Sequence, residues 1–173
     1  MTVEAGADQI GPAAEAARSY FGSIARRDLD AALACWKAGG IDHLAPVGEL
    51  QAPEGMRDYF TALFTAFPDF RYKVLALVAN REQAAIRWRA TGTFTGGPFT
   101  GVLANGATLE AEGCDLLRVD ADGLIVRNDS YWDDAAVARS IGLLPPRGGG
   151  SERMLTALFN LRTRLTGRRV RPG

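Results

Sequence analysis

The sequence has 173 residues, enough for one domain and a short appendage. Its 47% apolar and 23% charged residues form an ordinary globular mixture, which excludes a chain disordered throughout. No apolar run approaches the roughly 18 residues of a membrane span. The formal net charge is zero, but this is a cancellation between an acidic body and a basic tail.

After Pro146 the chain carries seven Arg (147, 153, 162, 164, 168, 169 and 171) against Glu152 alone. The body before it is acidic by the same margin, so nucleic acid is not an expected partner there. Met1 to Pro12 has neither the basic nor the apolar segment of a signal peptide, so a cytoplasmic location is expected. Cys35 and Cys114 have no spacing that suggests a bridge, so two reduced, buried thiols are expected. A single His, and no CxxC or HExxH motif, argue against a metal site. Neither GxGxxG nor GxxxxGK[ST] occurs, and no cofactor is expected.

The first helix follows Pro12, a residue tolerated in a first turn. Ala13, Ala16, Ala17, Tyr20, Phe21 and Ile24 form its apolar face. A second helix, capped by Asp28, is expected to bury Leu29, Ala32, Leu33 and Trp36 and to end at Gly39-Gly40. A short segment, Ile41 to Leu44, follows. Pro53-Glu54-Gly55 opens a third helix with Met56, Tyr59, Phe60, Leu63, Phe64 and Phe67 on one side, and Pro68 closes it.

The period then changes to two. Phe70–Ala79, Gln83–Phe94, Ala107–Val119 and Leu124–Trp132 read as strands. Asn80-Arg81-Glu82 and Asp120-Ala121-Asp122-Gly123 are hairpin connections. A short helix over Asp134–Ile141 closes a domain of residues 1–145. Residues 146–150 form a linker, and residues 151–173 an amphipathic basic helix and tail. Three helices before a run of antiparallel strands predict an α+β fold, with helices packed on one face of a curved sheet.

Strand parity sorts the side chains. On the last strand Leu124, Val126, Asn128, Ser130 and Trp132 share the covered face, and Ile125, Arg127, Asp129, Tyr131 and Asp133 the outer one. On the preceding strand Leu109, Ala111, Gly113, Leu117 and Val119 fall in register with Asp115. Asp115 is thus the one carboxylate expected on the covered face of either strand. Desolvation there would suit it to acid–base work, and the same placement suits a structural aspartate satisfied by neighbouring donors. Asp129, Asp133 and Asp134 read as structural, with Asp134 capping the following helix.

Five segments in order, "RRDLDAAL" (26–33), "PEGMRDYFTALFTAFPDF" (53–70), "AAIRWRATGTFTG" (84–96), "GCDLLRVDADGLIVRNDSYWD" (113–133) and "ARSIGLLP" (138–145), carry a resemblance. Over about residues 14–145 the chain resembles SnoaL-type polyketide cyclases and ester-cyclase-like proteins of the nuclear transport factor 2-like superfamily. The resemblance implies a cone-shaped barrel with a pocket on the concave face of the sheet. It does not imply one chemistry, because that fold hosts enzymes and binding proteins alike. In SnoaL-type cyclases an acid on the last strand is the general acid/base, with a His across from it. Carried over by motif, these positions fall on Ser130 and Asp115. The strand acid of limonene epoxide hydrolase also maps to Ser130.

The expected site therefore has Asp115 as the proton-transferring carboxylate, with His43 and Asn128 polarising a carbonyl. Tyr20, Tyr72, Trp88, Phe94, Ser130 and Trp132 are expected to line the ligand. The expected ligand is a hydrophobic, carbonyl-bearing small molecule, the expected chemistry that of a cofactor-free cyclase, isomerase or lyase, and the expected assembly a homodimer. The competing readings are a non-catalytic small-molecule binder and a dimeric scaffold. For the basic tail the alternatives are packing on the body, exchange with a second copy, and contact with nucleic acid or an anionic membrane.

Overall fold

The computed structural model describes residues 11–45 and 47–165. Most of the Met1 to Pro12 segment read for a leader (residues 1–10), the turn residue Pro46 and the Arg-rich end from residue 166 lie outside the described residues. The elements are α1 (Pro12–Arg26), α2 (Leu29–Leu33), β1 (Trp36–Leu44), β2 (Gly48–Gln51) and α3 (Glu54–Ala66). They continue with β3 (Arg71–Ala79), β4 (Gln83–Thr93), β5 (Thr108–Val119), β6 (Ile125–Trp132), α4 (Asp134–Ser140) and α5 (Gly150–Leu165).

The strands make one sheet in the order β2-β1-β6-β5-β4-β3. All neighbours are antiparallel except β1 and β6, which run parallel. The α1 helix lies across β3, β4 and β5, and α4 packs on β5. The apolar face read from α1 is buried throughout. Arg27, in the left-handed region, ties α1 to α3 by donating through Nη2 to the Phe64 carbonyl at 2.9 Å. This is the α+β cone fold, with helices on the concave face and a further helix at the C-terminal end.

Four expectations are corrected. The second helix stops at Leu33, and Trp36 begins β1, although its side chain is buried as expected. Gly39-Gly40 does not end a helix. It makes an irregularity within β1, where the register against β6 shifts between Trp36 and Ile41. Gly39 has φ 81°, and a Cβ on Gly40 would sit 3.1 Å from the Ile125 carbonyl oxygen. Second, Ile41 to Leu44 is not a separate short segment but the end of β1, and residues 48–51 pair with it as β2, with Ile41 opposite Gln51. Third, Ile125 is fully buried rather than outward, because the β5–β6 register shifts between Arg118 and Val119. Fourth, Asp133 rather than Asp134 caps α4, accepting from the Ala136 amide at 2.9 Å. The thiols are free, but Cys114 is exposed and Cys35 half-buried.

The α5 helix does not pack its apolar face on its own body. Met154, Leu155, Leu158, Phe159, Leu161 and Leu165 are each at least 51% exposed. Its described tie to the body runs through Glu152, 3.6 Å from Arg139.

Candidate active site

The parity reading holds on β5. Asp115 is buried with Leu109 and Leu117, while Glu110, Glu112, Cys114, Leu116 and Arg118 are exposed. Register then sets the polar cluster. Asp115 stands opposite Ser130 on β6 and Ile86 on β4, and Asp42 on β1 is the parallel partner of Asn128. Trp88 stands opposite Gly113. A Cβ at position 113 would lie 2.4 Å from Trp88 Cζ2, so only glycine lets the indole cross β5 there.

That crossing brings the Trp88 Nε1–H to Asp115 Oδ1 at 2.7 Å. The Ser130 hydroxyl donates to the same oxygen at 2.5 Å. Asn128 Nδ2 donates to Asp115 Oδ2 at 2.9 Å and to Asp42 Oδ1 at 3.0 Å. One amide nitrogen therefore joins two carboxyl groups, and Asp42, Asp115, Asn128 and Ser130 are all buried.

The electrostatics separate the two carboxyls. Burial pushes Asp42 up to about 8, reinforced by the Asp115 charge and opposed by hydrogen bonds from Asn128 and Tyr20. Burial also raises Asp115, but its donors Ser130, Asn128 and Trp88 favour the ionised form. Burial raises Tyr20, Tyr59 and Tyr72 above the ordinary phenol range, with Asp42 adding to each shift. All three phenols are thus neutral at physiological pH.

Above this floor is a cavity of about 480 Å³. Its wall includes Tyr20, Tyr72, Trp88 and Trp132, with Asp42, Asp115 and Ser130 at the polar end. Tyr72 stacks between Phe21 and Trp88, at ring separations of 5.8 and 5.3 Å. Val47, Phe99, Thr100 and Leu143 complete the lining from the loops. Among the described residues no Lys, Arg or His lines it, and its charged groups are Asp42, Asp115 and Asp134. No group of three His, Cys, Asp or Glu among the described residues is arranged to hold a metal ion.

Three predicted site residues are placed differently. His43 is on the outer face of the sheet, with Nδ1 3.3 Å from Asp129 Oδ1 and the Tyr131 ring at its edge. The reason is parity, since β1 turns Asp42 and Leu44 inward and His43 outward. Asn128 is in the cluster but beneath the cavity, with both amide protons given to carboxylates and none left to polarise a carbonyl. Phe94 is fully buried against Phe67, at 5.0 Å, and lies outside the cavity wall. The missed residue is Asp42. Alternation through Ile41 to Leu44 carried its signal, because a strand there puts Asp42 and His43 on opposite faces.

Solved structures share the fold. AclR from Streptomyces galilaeus, a proposed hydroxylase, is 19% identical with a TM-score of 0.67, covering 90% of this chain and 96% of that one. A proposed SnoaL-like polyketide cyclase from Jannaschia sp. CCS1 is 21% identical with a TM-score of 0.66, covering 78% and 94%. IdmH from Streptomyces antibioticus, a proposed polyketide cyclase, is 21% identical with a TM-score of 0.62, covering 76% and 98%. No curated protein matches the sequence significantly. The SnoaL-like polyketide cyclase family model matches residues 14–141, which include every strand and the whole buried cluster, and the chain belongs to that family.

Proposed function

We propose that the protein binds an uncharged, hydrophobic, carbonyl-bearing small molecule in its cavity and performs cofactor-independent acid–base chemistry on it, as a cyclase, isomerase or lyase. The observation that carries this reading is a buried carboxylate, Asp115, at the polar end of an aromatic-walled cavity without a cation among its described lining residues. An anionic ligand would meet three aspartates there, so a neutral one fits. Asp115 Oδ1 is occupied by two donors, whereas Oδ2 accepts one and keeps a lone pair.

In the proposed step Oδ2 takes a proton from carbon next to the ligand's carbonyl. The C–H electron pair moves into the adjoining C–C bond and the carbonyl π pair onto oxygen. The enolate so formed attacks a second carbonyl of the same ligand, whose π pair moves onto its oxygen and takes the proton back from Asp115, or it regains that proton from Asp115 at another carbon. Asn128 and Ser130 hold the carboxylate and do not touch the reacting atoms. Incubation with neutral aromatic polycarbonyl compounds tests this. Conversion by the native protein should fall at least about a hundredfold in Asp115→Asn.

Non-catalytic binding is the second reading, favoured by Ser130 at the family's acidic position and by three donors that satisfy Asp115. Tight binding of such compounds without conversion supports it and overturns the first reading.

The proposal includes a homodimer in the cytoplasm. Free Cys35 and Cys114 suit a reducing compartment. Met154, Leu158, Leu161 and Leu165 recur at alternating four- and three-residue spacing on α5, the seam of a coiled coil, and suit a second copy. Removing residues 148–173 should reduce the assembly from two copies to one in light scattering. An assembly that keeps two copies removes α5 from the interface.

A further inference from the structure

The acid–base reading leaves open what stabilises charge on the carbonyl oxygen, since His43 faces away and Asn128 has no free proton. We infer that Asp42 holds a proton at neutral pH and is the hydrogen-bond donor that meets the ligand's carbonyl oxygen. This rests on that reading and supplies its second catalytic residue.

The geometry requires the two carboxyls to differ. Both are buried and share one amide nitrogen, and no cation lines the cavity among the described residues. Two adjacent buried anions without a counterion repel strongly in a medium of low polarity, so one of them keeps a proton. Three hydrogen bonds stabilise the anion at Asp115, against Asn128 and Tyr20 at Asp42. The proton therefore resides on Asp42. Its Oδ1 accepts from Asn128, so Oδ2 is the oxygen we assign the proton.

The groups around Asp42 are Tyr20 from α1, Tyr59 from α3, Tyr72 from β3, Asp115 from β5, and Asn128 and Asp129 from β6. The phenols are neutral and the two other carboxylates repel a second charge, so every charged neighbour favours the protonated form, and burial together with this repulsion outweighs the hydrogen bonds from Asn128 and Tyr20. Asp42 and Asp115 both reach the cavity. A ligand with its carbonyl oxygen at Asp42 and its adjacent carbon at Asp115 would meet an acid and a base together. As Asp115 removes the carbon proton, charge grows on oxygen, and the Asp42 O–H strengthens its bond there or transfers the proton.

Two measurements test the inference. The first is a carbon-13 titration of the aspartate carboxyls in the ligand-free protein. One carboxyl should titrate near pH 8 and vanish from the spectrum in Asp42→Asn. Absence of such a group, or its persistence in Asp42→Asn, overturns the inference. The second is binding of a neutral aromatic ketone, 2-acetylnaphthalene, against pH. Affinity should fall about tenfold between pH 7 and pH 9 as the donor is lost, and Asp42→Asn should bind with a flat profile. A flat profile in the native protein overturns the donor role. Neither readout needs turnover, so failure of the acid–base reading leaves both results interpretable. Normal turnover with no group titrating near pH 8 overturns only the role of Asp42.

Discussion

Asp115 and Ser130 face each other across β5 and β6, and the serine hydroxyl donates to the aspartate at 2.5 Å. The carboxylate stands on β5 with the serine as its hydrogen-bond donor on β6, and Asn128 links it to Asp42 on β1. The charge at the polar end of the cavity is therefore shared between β5 and β1.

Ser130→Ala should remove one of the three donors that favour the Asp115 anion. The buried carboxylate then bears a larger share of its desolvation, and unfolding free energy should fall by about 1–3 kcal/mol. Chemical denaturation at pH 7 measures this, with Ser130→Thr expected to restore most of the loss. A Ser130→Ala protein as stable as the native one would remove the serine from the electrostatic balance.

Gly113→Ala should push the Trp88 indole off β5, because the added methyl overlaps it. Overpacking of this kind costs about 1–3 kcal/mol. The indole should also lose its bond to Asp115, which a shift of the Trp88 Nε1–H proton resonance would report. An unmoved resonance would contradict the assigned role of the glycine.

Stability should depend on pH in a direction opposite to that of ordinary ion-paired acids. Asp42 ionises at an ordinary 3.8 when unfolded and at about 8 when folded. Between these values the native state binds the extra proton, so stability falls as pH rises and levels off above pH 8. Asp129, held down first by Arg127, has the reverse effect, stabilising above its ordinary range and losing that stability in acid. Thermal melts from pH 5 to pH 9 should therefore decline in the native protein and decline less in Asp42→Asn. Parallel declines would contradict the buried proton.

The regular part of this architecture was legible from the sequence. Period-two alternation located β3 to β6 within two residues at each end, and put Asp115, Asn128 and Ser130 on the buried face. The β1 strand was harder, because Ala31 to Lys37 continues a helical pattern and Gly39-Gly40 looks like a helix stop. Its pairing is non-local, with β6 nearly ninety residues away, so no local pattern reveals it. Misreading β1 hid Asp42 and drew His43 into the site. Ile125 was misplaced for a related reason, since a register shift inverts parity without any trace in composition. The sharing of Asn128 between two carboxyls depends on three strands meeting in register, which only the assembled sheet displays.

In the proposed reaction Asp115 removes a proton from carbon next to a bound carbonyl. Its most direct test is the rate at which the native protein and Asp115→Asn exchange the methyl protons of 2-acetylnaphthalene in deuterated water, followed by proton NMR. The native protein should accelerate exchange, and the substitution should reduce that acceleration at least about a hundredfold while the ketone still binds. Equal exchange rates in the two proteins, or a bound ketone that does not exchange in either, would contradict the account.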